Sequence, residues 1–152
     1  MGRHLLWDLE SDGLLHKVTK VHCISAIDVD TEEKFFWTPE NIPNALEFLY
    51  NEVDTHIGHN LLAYDLKVLK KLFNWDRRPG SNVVDTLVCA RLIHPGLRKD
   101  DAERGSGWDT KLTGSNSLKA WGIRLGEHKA DCREIGRASC GKECRSRWSP
   151  YH

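Results

Sequence analysis

This 152-residue chain has no long apolar run: nowhere do about 18 consecutive apolar residues occur, so no membrane-spanning helix and no membrane partner are expected. Its N-terminus lacks the apolar core of a secretory signal, and its five cysteines are scattered singly. Both observations lead us to expect a cytoplasmic protein. No Gly-x-Gly-x-x-Gly follows a strand pattern, which argues against a dinucleotide fold. Net charge is also lacking, because 22 basic residues balance 22 acidic ones. A polyanionic partner would therefore need a local basic surface and metal ions rather than a high overall charge. What the chain does have is 39% hydrophobic residues, enough for one domain with a real core.

The charge balance is uneven. Glu134 to His152 holds four basic and two acidic residues, leaving 18 basic and 20 acidic, a net of −2, for residues 1–133. This last segment combines Gly, Ser, Arg and Pro without periodicity and resembles a translated sequencing adapter read through from a truncated gene. We therefore expect one domain over 1–133, incomplete at its C-terminus, and a non-native, disordered tail over 134–152. Cys132, Cys140, Cys144 and His152 offer a competing metal-site reading. However, Cys-x3-Cys without a second close ligand pair fits structural zinc spacing poorly.

The chain is organised around Leu5 to Leu15, where Asp8 and Glu10 sit two residues apart in an apolar run. On a strand, residues i and i+2 share a face, so the two carboxylates project together. Their repulsion is relieved by a cation, and Mg²⁺ uses one or two carboxylates and completes its shell with water or phosphate. The bland alternative is a solvated strand face.

After an Asp12-Gly13 turn, Val18 to Val29 reads as a second strand and Lys34 to Thr38 as a third, giving an antiparallel meander. From Ile42 the apolar residues recur at helical spacing, and Thr55 to His59 reads as a fourth strand. Asn60 to Phe73 follows as a helix with Asn60 as N-cap, an apolar stripe of Leu62, Leu66, Leu69, Leu72 and Phe73, and Asp65 near the preceding strand end. Asn82 to Asp85 reads as a short buried strand opening into a helix through Ile93. Gly96 to Gly114 reads as a long polar loop whose basic residues around Trp108 either track a single strand or are simply solvated. Ser115 or Asn116 should then cap a helix that ends at Gly122.

Three segments agree with one another: Asp8, Glu10 and Leu14 as D-x-E-x-x-x-L, His59 to Asp65 as H-N-x-x-x-Y-D, and V-D-T-L-V-C-A-R-L-I-H-P-G-L followed by S-L-K-A-W-G-I-R-L-G-E. Together they resemble the 3′-to-5′ proofreading exonuclease domain of family A DNA polymerases, most closely those of short-tailed phages, over nearly all of residues 4–131. The resemblance implies an α/β, ribonuclease H-like mixed sheet flanked by helices, truncated before the last helix. It implies Mg²⁺ or Mn²⁺ at a two-ion site, with Asp8 shared between the ions, Glu10 on the ion that binds the attacking water, and Asp65 on the second. Two ions about 4 Å apart activate the water and stabilise the leaving 3′ oxygen.

By the same resemblance the partners are a single-stranded DNA 3′ end and a polymerase domain, the product is a nucleoside 5′-monophosphate, and the setting is the host cytoplasm. Leu14 would pack on the terminal base, or belong to the core. Asn60 would bond the DNA backbone, or only cap its helix. Tyr64 falls in the same substrate-facing motif. Asp85 and His59 would support the ligands from behind, with helix capping and strand-end burial as their simpler readings. The family's last motif, a Tyr followed four residues later by an Asp, is absent, since Tyr151 is followed only by His152. That leaves one metal ligand missing, an expected loss of several orders of magnitude in rate, and apolar sheet surface without its final helix. A stand-alone DNA or RNA exonuclease and an inactive nucleic-acid-binding fragment remain as alternatives.

Overall fold

The computed structural model describes residues 2–105 and 107–127. The sequence expectations for 134–152, including the four-residue zinc reading, lie outside the described residues. The chain forms two units, Met1–Asn116 and Ser117–His152.

In the first unit, strand β1 (Arg3–Ser11) lies at the centre of a five-stranded sheet. Its alternation decides its two faces: Leu5, Trp7 and Leu9 are buried, whereas His4, Leu6 and Asp8 are exposed. Strands β2 (Val21–Asp28) and β3 (Lys34–Trp37) continue antiparallel from it. Helix α1 (Ile42–Asn51) then leads into β4 (Val53–Gly58), which pairs parallel to β1, and β5 (Asn82–Asp85) pairs parallel to β4. The spatial order is β3-β2-β1-β4-β5. This is the expected mixed α/β sheet.

The core occupies one face of that sheet. Leu5, Trp7 and Leu9 join Ile24 of β2, Ala45 and Leu49 of α1, and Val68 and Leu69 of α2 (Asp65–Phe73) in one buried cluster. Burying aliphatic side chains of this size contributes about 1.5–3 kcal/mol each. The ladder also lines up Ile27, Leu6, Ile57 and Val84 across the opposite face, where Leu6 remains 41% and Val84 38% exposed.

At the end of β4, Gly58 permits a close strand crossing. A Cβ there would stand 2.9 Å from the Trp7 carbonyl oxygen and 2.9 Å from Leu61 Cδ1. Any side chain would push β4 away from β1 at the level of Asp8.

Several expected boundaries are corrected. The second strand begins at Val21, and the fourth is Val53–Gly58 rather than Thr55 to His59. The helix read from Asn60 begins at Asp65, because residues 60–64 are drawn into a turn. The Asp85 carboxylate accepts the Asn60 and Leu62 N–H groups, both at 2.9 Å, and Asn60 has a left-handed φ of 65°. Asn60 is therefore no cap. The expected stripe also shifts, with Leu61, Val68 and Leu69 buried while Leu62 and Phe73 are exposed. Strand β5 is an edge strand, with Val84 exposed, rather than a buried one.

The Gly96 to Gly114 stretch is folded rather than a plain loop. Helix α3 (Thr86–Ile93) is followed by α4 (Leu97–Ala102) and a 3₁₀ turn (Thr110–Leu112), anchored by buried Leu97, Asp101 and Leu112. Local composition hid this, since the anchoring bond runs from Gly114 N–H to Asp101 Oδ2 over 2.8 Å, thirteen residues away.

In the second unit, α5 (Leu118–Leu125) is capped by Ser117, whose hydroxyl accepts from Ala120 N–H at 3.3 Å. It ends at Gly126, in the left-handed region at φ 73°, not at Gly122. Gly122 is tolerated inside the helix at a cost of about 1 kcal/mol, and the capping geometry recurs four residues later.

Candidate active site

Asp8 and Glu10 stand on the open face of β1, paired across the sheet with Ser25 and Cys23. The third carboxylate comes from the first residue of α2. Asp65 is 3% exposed, and its Oδ1 accepts the N–H of Leu9, the residue between Asp8 and Glu10, at 3.3 Å. A helix starting at Asp65 therefore delivers its carboxylate to the middle of the D-x-E motif.

The electrostatics are strained in one direction. Burial first, and then the Asp8 charge, push the Asp65 carboxyl up to about 7. Burial and the charges of Glu10 and Asp8 likewise push the Cys23 thiol up to about 11, so it stays protonated at neutral pH. The cluster is thus short of positive charge and offers hard carboxylate oxygens rather than thiolate. Among the described residues no group of three or more His, Cys, Asp or Glu side chains forms a ready-made metal cage. A Mg²⁺-type ion takes one or two carboxylates, keeps several waters and shares its shell with substrate phosphate. Asp8, Glu10 and Asp65 offer carboxylate oxygens, the donor type such an ion takes.

Asp85 is also a buried carboxylate, yet it behaves oppositely. Burial acts to raise it, but the N–H groups of Leu62, Asn60, Leu87 and Val88 together hold it below the ordinary carboxylate range. It caps α3 through Leu87 N–H at 3.0 Å while tying down the 60–62 turn. These contacts make Asp85 the N-cap of α3, the simpler of its two sequence readings. His59 Nδ1 lies 3.0 Å from the Thr86 hydroxyl. Burial disfavours its charged form, against opposing contributions from the Asn116 backbone and from Asp85 and Asp8.

The residues expected to face substrate are placed unequally. Leu14 is 67% exposed, so the core alternative for it is excluded. Its loop is held by Tyr64, whose hydroxyl donates to the Gly13 carbonyl and bonds the Ser11 hydroxyl, both at 2.5 Å. Lys71 adds bonds to the Leu15 and Val18 carbonyls at 2.9 and 3.1 Å. Sequence reasoning missed Ser11, Lys71 and Thr86, because each acts on a partner 27 to 56 residues away. Only the helical register of Lys71, on α2 with Asp65, could have suggested it.

No protein-family model matches the chain. It is 36% identical over 137 residues to the DNA-directed DNA polymerase of Escherichia phage T7, a match covering 84% of this chain and 20% of that protein. It is 36% identical over 140 residues to the corresponding Enterobacteria phage T3 enzyme, covering 86% of this chain and 20% of that one. It thus spans about one fifth of the length of these curated relatives. Among solved structures, a zinc-bound complex of Escherichia coli exonuclease I with single-stranded DNA superposes with a TM-score of 0.59 at 15% identity, covering 86% of this chain and 36% of that one. That likeness is one of fold. Over most of its length the chain is therefore a homologue of the phage DNA-directed DNA polymerases, with the ribonuclease H-like fold of the exonucleases.

Proposed function

We propose that the chain is a metal-dependent 3′-to-5′ exonuclease domain, residues 1–133, from the N-terminal part of a phage-type DNA polymerase, releasing nucleoside 5′-monophosphates from a single-stranded 3′ end. The observation that carries this reading is the bond from Leu9 N–H to Asp65, which joins the second motif's carboxylate to the strand bearing Asp8 and Glu10. The phage polymerase homology and the exonuclease fold support it.

In this reading Asp8, Glu10 and Asp65 hold Mg²⁺ or Mn²⁺. Ions held by these carboxylates would supply the chemistry of an activated water at neutral pH and of charge stabilisation at the leaving 3′ oxygen. Asp65, raised to about 7, must lose its proton to take part, so the carboxylate set gains charge as pH rises through neutrality. Tyr64 works through Gly13 to position exposed Leu14 against the terminal base. Asn60, held in its turn by Asp85, faces the strand backbone. Asp85 and His59 position the turn and take no proton from substrate.

The test is digestion of a 5′-labelled single strand with Mg²⁺ or Mn²⁺, comparing this chain, Asp8→Ala, and a version extended by a helix carrying Tyr and, four residues on, Asp. The expected result is a 3′-shortened ladder from the extended version, lost in Asp8→Ala. An inert extended version that still binds the strand would leave the binding-fragment reading in its place.

A further inference from the structure

A second feature of the first unit lies outside the carboxylate cluster. The end of α3, the start of α4 and the segment after the 3₁₀ turn enclose a pocket of about 250 Å³, lined by Arg91, His94, Arg98, Thr113, Gly114 and Asn116 among others, none of them acidic. Its walls are built rather than accidental. Gly114 has a φ of 74°, a Cβ there would lie 3.1 Å from Arg98 Cβ, and its N–H is held by Asp101, itself 1% exposed. Thr113 is fixed by Trp108 Nε1 at 3.1 Å, and Leu97 and Leu112 are buried beneath. Of the two acidic residues on α4, Asp101 is turned inward to the Gly114 backbone and pairs with Arg104 at 3.5 Å, and exposed Asp100 is outside the pocket lining, which holds exposed Arg91 and Arg98.

The pocket is connected to the carboxylate site. Asn116, at its rim, meets His59 through its backbone, and Arg91 is close enough to His59 to oppose its protonation. His59 in turn bonds Thr86 at the head of α3. Two guanidinium groups beside a glycine backbone, in a space smaller than the roughly 300–1,000 Å³ of most small-molecule sites, suit a phosphate with its water rather than a whole nucleoside.

We propose that this pocket seats a backbone phosphate of the single strand whose 3′ end occupies the carboxylate site. The assignment rests on the exonuclease reading and extends it. Phosphate contacts of this kind set register without reading sequence, so the pocket holds any strand long enough to reach it.

The test is fluorescence anisotropy of a labelled oligothymidylate of about ten nucleotides in EDTA, which prevents digestion, over a range of salt concentrations. The full chain is compared with Arg91→Gln/Arg98→Gln and with Arg91→Lys/Arg98→Lys, each checked for an unchanged melting temperature. The Gln pair should bind about tenfold more weakly and lower the slope of log affinity against log salt by about 0.7, the value for the one phosphate the pocket seats. The Lys pair should keep the slope. Equal affinity and slope in the Gln pair, with the parent binding well, would overturn the pocket alone. A parent that binds no strand would overturn both the pocket and the exonuclease reading. Inorganic phosphate competing as well as the oligonucleotide would make this a free-phosphate site and overturn the strand assignment.

Discussion

The two faces of β1 are made of alternate residues from the same nine and do opposite work. On the packed face, Leu5, Trp7 and Leu9 are at most 4% exposed and gain from leaving water. On the open face, Asp8 sets negative charge against buried Asp65, at a cost to stability once both are ionised. The difference teaches where this domain keeps its reserve: the packed face stabilises an arrangement that the open face strains. A one-residue slip of β1 would exchange the two sets, so register is held by the cluster beneath it.

The sharpest way to break the comparison is Asp8→Ala on the open face. In the extended chain we expect single-strand digestion to fall by on the order of 10⁴-fold, equivalent to about 5 kcal/mol in the barrier. Its melting temperature should stay level or rise, since a charge beside Asp65 is gone. Trp7→Ala, one residue away, should do the reverse. Denaturant titration should show a loss of about 3–5 kcal/mol, with the hydrogen bond from Trp7 Nε1 to His56 Nδ1 at 3.3 Å lost as well. A Trp7→Ala chain as stable as its parent would refute the assignment of that face.

Asp85→Ala tests the link between the faces. The N–H groups of Asn60, Leu62, Leu87 and Val88 lose their acceptor, so stability should fall by about 2–3 kcal/mol and digestion should weaken, while Asp85→Asn should recover part of both.

A smaller effect separates Asp65 from Asp85. Because the folded Asp65 carboxyl titrates at about 7 against an ordinary 3.8, the folded state holds a proton that the unfolded state has lost between those values. Its contribution is therefore full below about 4 and is lost as pH rises through 7. Asp65→Asn should abolish digestion, yet in metal-free buffer it should be more stable than the parent at pH 8 by about 1–3 kcal/mol, a margin that vanishes near pH 4. Melting curves across this range check it, and a margin independent of pH would remove the charge explanation. Smallest of all, Tyr64→Phe should cost about 1 kcal/mol and raise KM more than it lowers kcat, since it frees the Leu14 loop without touching a carboxylate.

Much of this was legible beforehand. The period-2 pattern of β1 dictated that Asp8 and Glu10 share a face opposite Leu5, Trp7 and Leu9, because successive side chains on a strand alternate. The order of strands and helices, and Asp65 close to a strand end, also followed from periodicity and turn chemistry. What the sequence could not decide were the long-range captures. Asp85 takes the Asn60 and Leu62 N–H groups from 25 and 23 residues away and so delays α2 to Asp65. Asp101 reaches Gly114 and turns an apparent loop into the wall of a basic pocket. Local propensity is blind to both, since a buried carboxylate finds its partners only once the sheet has brought them within hydrogen-bonding distance. The sequence by itself determined which residues carry charge on which face; the tertiary structure decided that Asp85 is surrounded by N–H groups while Asp65 is buried beside the charge of Asp8, because only the folded sheet sets those distances.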